Sequence, residues 1–113
     1  MSKRSPQLLL EDILEARGKI KKYIAGNSFD SFCRDDKTID AVIRNFEIIG
    51  EAANRLPEEF KDTHDHIEWY RIIGFRNRIV HDYMGVDLSI VWTISQEFLP
   101  ILEINLIDLL PKE

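Results

Sequence analysis

The chain has 113 residues, 44% of them hydrophobic and 31% charged, which is the size and composition of one globular domain, predicted to cover residues 1–113. Fifteen basic against twenty acidic residues give a formal charge of −5, which argues against broad, sequence-independent binding of nucleic acid. The single cysteine excludes an internal disulfide and a cysteine-based metal site, and no apolar run is long enough to predict a membrane span, so we expect a cytoplasmic protein.

Apolar residues recur at helical spacing nearly throughout the chain. The first predicted helix stops near Gly26 and Asn27, which tolerate the left-handed conformation of a helix end, and residues 28–34 are expected to form a turn. Its apolar side consists of Leu9, Ile13, Ala16, Ile20, Tyr23 and Ile24. The second long helix is predicted to open near Asp36, with an aspartate or Thr38 as its cap, and to end before Pro57. Its apolar face consists of Ile39, Val42, Ile43, Phe46, Ile49, Gly50 and Ala53.

Residues 57–66 are typical of one helical turn and a loop, and a third long helix is predicted from residue 67 to residue 81 or 82. The fourth helix begins after Gly85, with Asp87 as its cap and a kink at Pro100. One of its apolar stripes consists of Leu88, Val91, Trp92, Phe98, Leu99, Leu102, Leu106 and Leu109, and the other of Ile90, Ile94, Ile101 and Ile104. The second stripe exceeds what a monomer's core needs and indicates an oligomer. The predicted fold is all-α, an up-and-down bundle of four to five helices.

The residues best suited to catalysis or anion binding lie in the third predicted helix. Arg76 falls within its apolar arc, and an unpaired buried guanidinium is costly, so Arg76 is expected to pair with a carboxylate or to line an anion-binding groove. Glu47 and Glu51, which flank the apolar face of the second helix, are the candidate electrostatic partners. On an ideal helix His81 is rotated about 140° from Arg76, so the two side chains meet only if the chain turns near His81. Gly85 favours such a turn.

An imidazole that exchanges protons near neutral pH and an arginine that clamps phosphate together suit phosphodiester chemistry without a metal. The simpler structural interpretation is that His81 caps the helix and Tyr83 packs beneath it. His64, Asp65 and His66 resemble a metal cluster, but a solvated loop is the expected structure there, and no metal or cofactor is predicted.

The spacing of Arg76, His81 and Tyr83 resembles the R-x4-H-x-Y signature of HepT toxins, a branch of the HEPN superfamily. Asn77 is polar, as is common for the residue after this arginine in the superfamily. The resemblance extends to the amino-acid sequence of residues 46–53, 72–77 and 81–87 and to the helix that begins at Leu88. It covers essentially the whole chain.

The resemblance implies a helical bundle that dimerises, so that two Arg76/His81 pairs face one cleft and cleave RNA without a metal. It implies that Arg76 and His81 are catalytic and that Asn77 supports them by orienting the phosphate or His81. It also implies a partner, an MntA-type nucleotidyltransferase antitoxin, which transfers AMP from ATP to the tyrosine of the motif, here Tyr83. RNA binding by so acidic a chain requires Arg71, Arg76 and Arg78 to gather near the cleft.

Two hypotheses from other classes stay open at this point. One is a non-catalytic helical module that binds a nucleotide, or a nucleotidyltransferase, through the same groove. The other is a purely structural dimerisation domain. Loss of RNA cleavage in a folded His81→Ala variant would separate the enzyme from both.

Overall fold

The computed structural model describes residues 4–81 and 85–110, with residues 76, 79–81 and 86 described by their backbone alone. Within these ranges the fold is almost entirely helical, which confirms the predicted all-α bundle. Two long helices are α1 (Pro6–Ile24) and α3 (Asp36–Arg55), and a third combines α7 (Leu88–Thr93), a π-helical turn (Ile94–Phe98) and α8 (Leu99–Ile107). The short elements are α2 (Phe29–Cys33), α4 (Glu58–Thr63), α5 (Trp69–Ile73), α6 (Phe75–Ile79), β1 (Val80–His81) and β2 (Gly85–Val86).

Helices α1 and α3 pack against each other and supply much of the core. The Ser5 hydroxyl caps α1 by accepting a hydrogen bond from the Leu8 amide at 3.2 Å. Gly26, just beyond the other end of α1, has a φ of 82°, which confirms the predicted stop. The predicted apolar sides of both helices face the core, except that Tyr23 is 36% exposed and Ile43 is half-buried.

The expectation of a simple turn over residues 28–34 is wrong, because these residues contain helix α2. Ser28 and Ser31 form a reciprocal capping box, which satisfies the amides at the start of a helix only five residues long. The predicted aspartate cap of α3 is Asp35, whose carboxylate accepts hydrogen bonds from the Thr38 amide and hydroxyl at 3.1 and 2.6 Å. These bonds, the hydroxyl bond first, hold the pKa of Asp35 below its ordinary value.

The prediction of one continuous helix from residue 67 to residue 81 or 82 is also wrong. The chain forms α5, interrupts it at Gly74 and resumes with α6, which ends at Ile79. Gly74 lies against the preceding turn, where an added Cβ would stand 3.1 Å from the Tyr70 carbonyl oxygen. A side chain at this position would crowd the end of α5, which would then have to shift by a few tenths of an ångström.

A minimal β-hairpin follows α6 and replaces the predicted helix end at His81. Val80 pairs with Val86 and His81 pairs with Gly85 in an antiparallel ladder. Gly85 has a φ of 76°, a left-handed conformation that an L-residue with a Cβ adopts only at a cost. The chain therefore leaves the helical path near His81, which is the condition that the sequence analysis set for a meeting of His81 with Arg76.

The C-terminal helix begins where predicted, because the Asp87 carboxylate accepts hydrogen bonds from the Ser89 and Ile90 amides at 3.1 and 3.2 Å. The predicted irregularity at Pro100 takes the form of a π-helical turn just before it. Pro100 has no amide hydrogen to donate, so the preceding turn widens and the Leu99 amide bonds the Ile94 carbonyl. Within the described residues, the helix over 88–107 matches a membrane span in length and apolar composition, as core helices of soluble proteins also do.

The two predicted apolar stripes of this helix differ in burial. The first faces the core, with Val91, Leu99, Leu102 and Leu106 buried. In the second, Ile94 is buried and Ile90 is partly buried, whereas Ile101 and Ile104 are exposed. The stripe is therefore divided, and only its C-terminal half is open to a partner.

Candidate functional site

Helix α6 carries Arg76 as its second residue and is fixed in the bundle by the residue before it. Phe75 is 1% exposed, and its ring meets those of Phe46 and Phe98 edge-on, with centroids 5.4 and 5.3 Å apart. These edge-to-face contacts tie the start of α6 both to α3 and to the π-helical turn. The position of the Arg76 backbone is therefore set by three aromatic rings from separate parts of the chain.

A close approach between α3 and the end of α5 also determines where α6 starts. Gly50 is buried in α3, and a Cβ added to it would lie 3.3 Å from the carbonyl oxygen of Ile73. The absence of a side chain at Gly50 lets the backbone of α5 lie directly on α3. Gly50 therefore sets the distance between α3 and the segment that carries Arg76.

The chain leaves its helical path between Arg76 in α6 and His81 in β1. A continuous helix would have held the two residues on different faces, so this change of direction meets the condition under which they converge. Their side chains are not described, and Tyr83 lies outside the described residues. The pairing of Arg76 with His81 and the role of Tyr83 therefore stay predictions.

The remaining predicted site residues surround α6. Asn77 and Arg78 are exposed on α6, and Arg78 forms no ion pair within the ranges that the structure describes. Glu47 is half-buried and Glu51 exposed, both on α3, which packs against α6. An ion pair from Arg76 to either carboxylate stays a prediction.

Beside this segment, Arg71 makes contacts that the sequence did not predict. Its guanidinium donates a hydrogen bond to Glu68 at 3.0 Å and lies 5.1 Å from the centroid of the Phe98 ring. The Tyr70 hydroxyl donates to the same carboxylate at 3.1 Å. These bonds, that from Arg71 first, lower the pKa of Glu68, and the bond to Glu68 raises the pKa of Tyr70. Part of the charge of Arg71 is thus already compensated.

A buried arginine outside the motif was missed by the sequence analysis. Arg17 on α1 is 7% exposed, donates to the Leu99 carbonyl at 3.1 Å and forms an ion pair with Glu103 at 2.6 Å. It lines an open groove of about 660 Å³ between the end of α1 and the C-terminal helix. Because it lies four residues after Ile13 and seven before Ile24, its place in the apolar arc was visible in the sequence.

The histidines outside the motif form an aromatic group. The His64 ring lies 4.6 Å from Phe60 and 6.3 Å from His66, measured between centroids. Within the described part of the chain, no group of three or more histidine, cysteine, aspartate or glutamate residues is arranged to hold a metal ion.

The fold and the motif together define the class of protein. An all-α bundle that carries the R-x4-H-x-Y motif is consistent with a HEPN-type helical protein. The chain belongs to the Ribonuclease HepT-like family, whose family model matches residues 13–109.

Relatives provisionally named as RNases agree with this assignment. The chain is 36% identical over 110 residues to the RNase TTE0752 of Caldanaerobacter subterraneus, an alignment that covers 97% of this chain and 98% of the relative. It is 41% identical over 101 residues to a ribonuclease HepT of Thermococcus cleftensis, covering 89% and 92% of the two chains. The RNase MJ0127 of Methanocaldococcus jannaschii is 37% identical over 94 residues, covering 83% and 78%. No solved structure is significantly similar to the chain.

Proposed function

We propose that this protein is the ribonuclease toxin of a toxin–antitoxin pair and that it cuts RNA internally, without a metal, through Arg76 and His81. The observation that carries the proposal is membership of the HepT-like ribonuclease family over residues 13–109. The turn of the chain between α6 and β1 supports it, because a straight helix would hold Arg76 and His81 apart. A homodimer would bring two such pairs to one cleft.

The chemistry proposed for this cleft needs only groups that the chain itself provides. The 2′-hydroxyl of RNA attacks the adjacent phosphorus once one His81 removes its proton, and the His81 of the second copy protonates the leaving 5′-oxygen. Arg76 stabilises the negative charge that develops on the phosphorane oxygens, and Asn77 orients the phosphate or the imidazole. Because DNA lacks the 2′-hydroxyl, the same site should not cut DNA.

The basic residues nearest the motif are Arg71, Arg76 and Arg78, which precede a stretch without lysine or arginine. Residues 79–110 contain five acidic residues and no lysine or arginine, so the rest of the chain has no net charge. Arg78 is exposed on α6 and is available to contact a phosphate. Arg71 is shared with Glu68 and Phe98, so we expect it to contribute less to RNA affinity than Arg78.

Cleavage of matched RNA and DNA oligonucleotides, with and without a metal chelator, tests this proposal. The wild-type protein should cut the RNA and not the DNA, at the same rate with and without the chelator. His81→Ala should lower the rate of RNA cleavage about 100-fold or more. His64→Ala is the control, because it removes a loop histidine without touching the motif. Equal cutting by the two variants, both shown to be folded by circular dichroism, would refute the role of His81. RNA binding without any cutting by the wild type would favour the non-catalytic module instead.

We further propose that an MntA-type nucleotidyltransferase silences the enzyme by transferring AMP from ATP to the hydroxyl of Tyr83. An adenylate at this position would add bulk and phosphate charge beside Arg76 and His81, and RNA would be excluded from the cleft. The family assignment and the position of Tyr83 two residues after His81 support this step.

Intact-mass measurement after incubation with such an enzyme and ATP tests the modification. The expected result is a mass gain of whole AMP units in the wild type and no gain in Tyr83→Phe. Tyr70→Phe is the matched control, because Tyr70 is 73% exposed and close in sequence but outside the motif. A gain that persists in Tyr83→Phe and disappears in Tyr70→Phe would move the site to Tyr70.

A further inference from the structure

The groove between the end of α1 and the C-terminal helix is separate from the proposed catalytic residues, since its described lining includes none of the R-x4-H-x-Y motif. Its volume of about 660 Å³ lies within the roughly 300–1,000 Å³ of sites that hold small molecules. One wall belongs to the π-helical turn, an irregularity that is frequent at functional sites. The apolar part of the lining includes Ile24, Leu99 and Ile104.

Arg17 is the buried cation of this groove, and one of its nitrogens is unused. Its Nε donates to the Leu99 carbonyl, and its Nη2 lies 2.6 Å from a carboxylate oxygen of Glu103. Within the described part of the chain, Nη1 has no hydrogen-bond partner, yet no fully buried side-chain nitrogen or oxygen lacks one. Nη1 is therefore open to the groove that Arg17 lines, and it can donate to an anion while the pair with Glu103 stays in place.

Lys21 adds a second positive charge to the same groove. It stands four residues after Arg17, so the two side chains share a face of α1. Lys21 is exposed and forms no ion pair within the ranges that the structure describes. Among the described residues that line the groove, Glu103 is the one carboxylate. Two cations against one carboxylate leave an excess of one positive charge.

The end of α1 also faces this groove, and the unpaired carbonyls of a helix end repel anions. In α1 two of these carbonyls are already bonded by one residue. The Asn27 amide donates to the Ile24 carbonyl at 3.0 Å, and the Asn27 side chain donates to the Tyr23 carbonyl at 3.4 Å. These bonds reduce the negative potential that the helix end would otherwise present to a ligand.

A single excess positive charge beside an apolar wall matches a ligand with one negative group and an apolar body. A phosphate monoester carries nearly two negative charges, whereas a carboxylate carries one and fits the paired N–H groups of a guanidinium. We infer that this groove binds a small carboxylic acid, with its carboxylate at Arg17 and Lys21 and its apolar body against Leu99 and Ile104. This inference does not rest on the ribonuclease proposal.

Octanoate, octanol and octylammonium test the inference, because they share one apolar chain and differ in the charge of the head group. In NMR titrations of the protein, octanoate should bind about tenfold more tightly than octylammonium, and octanol should lie between them. The backbone amide signals that move should be those of residues 17–27 and 95–104, which contain the groove lining.

Two lysines in the last turn of α1 provide a matched pair of variants. Lys21→Glu should weaken octanoate binding about tenfold, because it reverses a charge in the groove. Lys22→Glu makes the same change of charge at an exposed residue outside the groove lining, and it should weaken binding less than about twofold. Glu103→Gln should instead tighten octanoate binding about threefold or more, because it removes the carboxylate that competes for Arg17.

Several results would overturn the inference. Equal affinities for the three compounds, or no binding of octanoate, would show that the groove does not recognise a carboxylate. Equal losses in Lys21→Glu and Lys22→Glu would indicate a general attraction of anions to this surface. Groove signals that move with protein concentration in the absence of any added compound would assign the groove to a second copy of the chain.

Discussion

Replacing Phe75 with leucine measures how strongly one buried ring holds the helix that carries Arg76. The ring of Phe75 makes edge-to-face contacts with two others, those of Phe46 and Phe98. Each such pair contributes about 0.5–1.5 kcal/mol beyond the apolar area that it buries. Leucine keeps most of the volume, so the loss of both pairs should lower the free energy of unfolding by about 1–3 kcal/mol. Urea denaturation followed by circular dichroism gives this value directly.

The functional consequence is measured against a matched variant, Phe32→Leu. Phe32 is 0% exposed and stacks on Trp92 at 5.3 Å, in a contact between α2 and α7 rather than at α6. Both variants are expected to be folded in the absence of denaturant. There the rate of RNA cleavage should fall about tenfold in Phe75→Leu and less than about twofold in Phe32→Leu, because only the former loosens the position of Arg76. The reasoning fails if Phe75→Leu costs less than about 0.5 kcal/mol, or if both variants lose the same activity.

Three further predictions concern stability and are checked by urea denaturation. Gly85→Ala places a side chain at a φ of 76° and should cost about 1 kcal/mol, whereas Gly18→Ala, on open helix surface, should stabilise by about 0.5–1 kcal/mol; equal effects would contradict the argument. Arg17→Met removes a buried hydrogen bond and an ion pair whose carboxylate is 37% exposed, so we expect a loss of about 1–3 kcal/mol in the free energy of unfolding. An unchanged midpoint of denaturation would show that these two contacts do not stabilise the fold. The pKa of Asp35 is lower in the folded chain than its ordinary 3.8, so stability should fall as the pH drops from about 5 through the folded pKa, and Asp35→Asn should flatten this fall. A parallel pH profile in the variant would refute the assignment.

Features of the fold with local causes were predictable from the sequence. The end of α1 follows from Gly26, and the start of the C-terminal helix follows from Asp87, because a left-handed glycine and a capping carboxylate act within a few residues of their own position. The core sides of α1 and α3 followed from helical periodicity alone. The motif of Arg76, His81 and Tyr83 could likewise be recognised in the sequence, since it is defined by residue identity and spacing.

Features with distant causes were not predictable in this way. The apolar periodicity of residues 67–81 runs straight across Gly74, and only the fold shows that the end of α5 lies directly against Gly50 of another helix. The contact of Arg71 with Phe98 joins residues that lie far apart in the chain. Arg17 is the exception, because the argument applied to Arg76 would have found it, whereas its partner Glu103 required the fold.

The π-helical turn contains one residue more than an α-helical turn of the same rotation would need. In the sequence of the last helix, the spacing of core-facing residues is therefore shifted by one residue across this turn, and in a regular α-helix one residue corresponds to about 100° of rotation. Deleting a single residue within Ile94–Phe98 would restore a uniform helix and leave Leu102 and Leu106 facing the interior, because the wide turn already absorbs the extra residue. Deleting a residue of α8 instead would rotate all later residues by that angle, so this one turn is where the last helix tolerates a change of one codon.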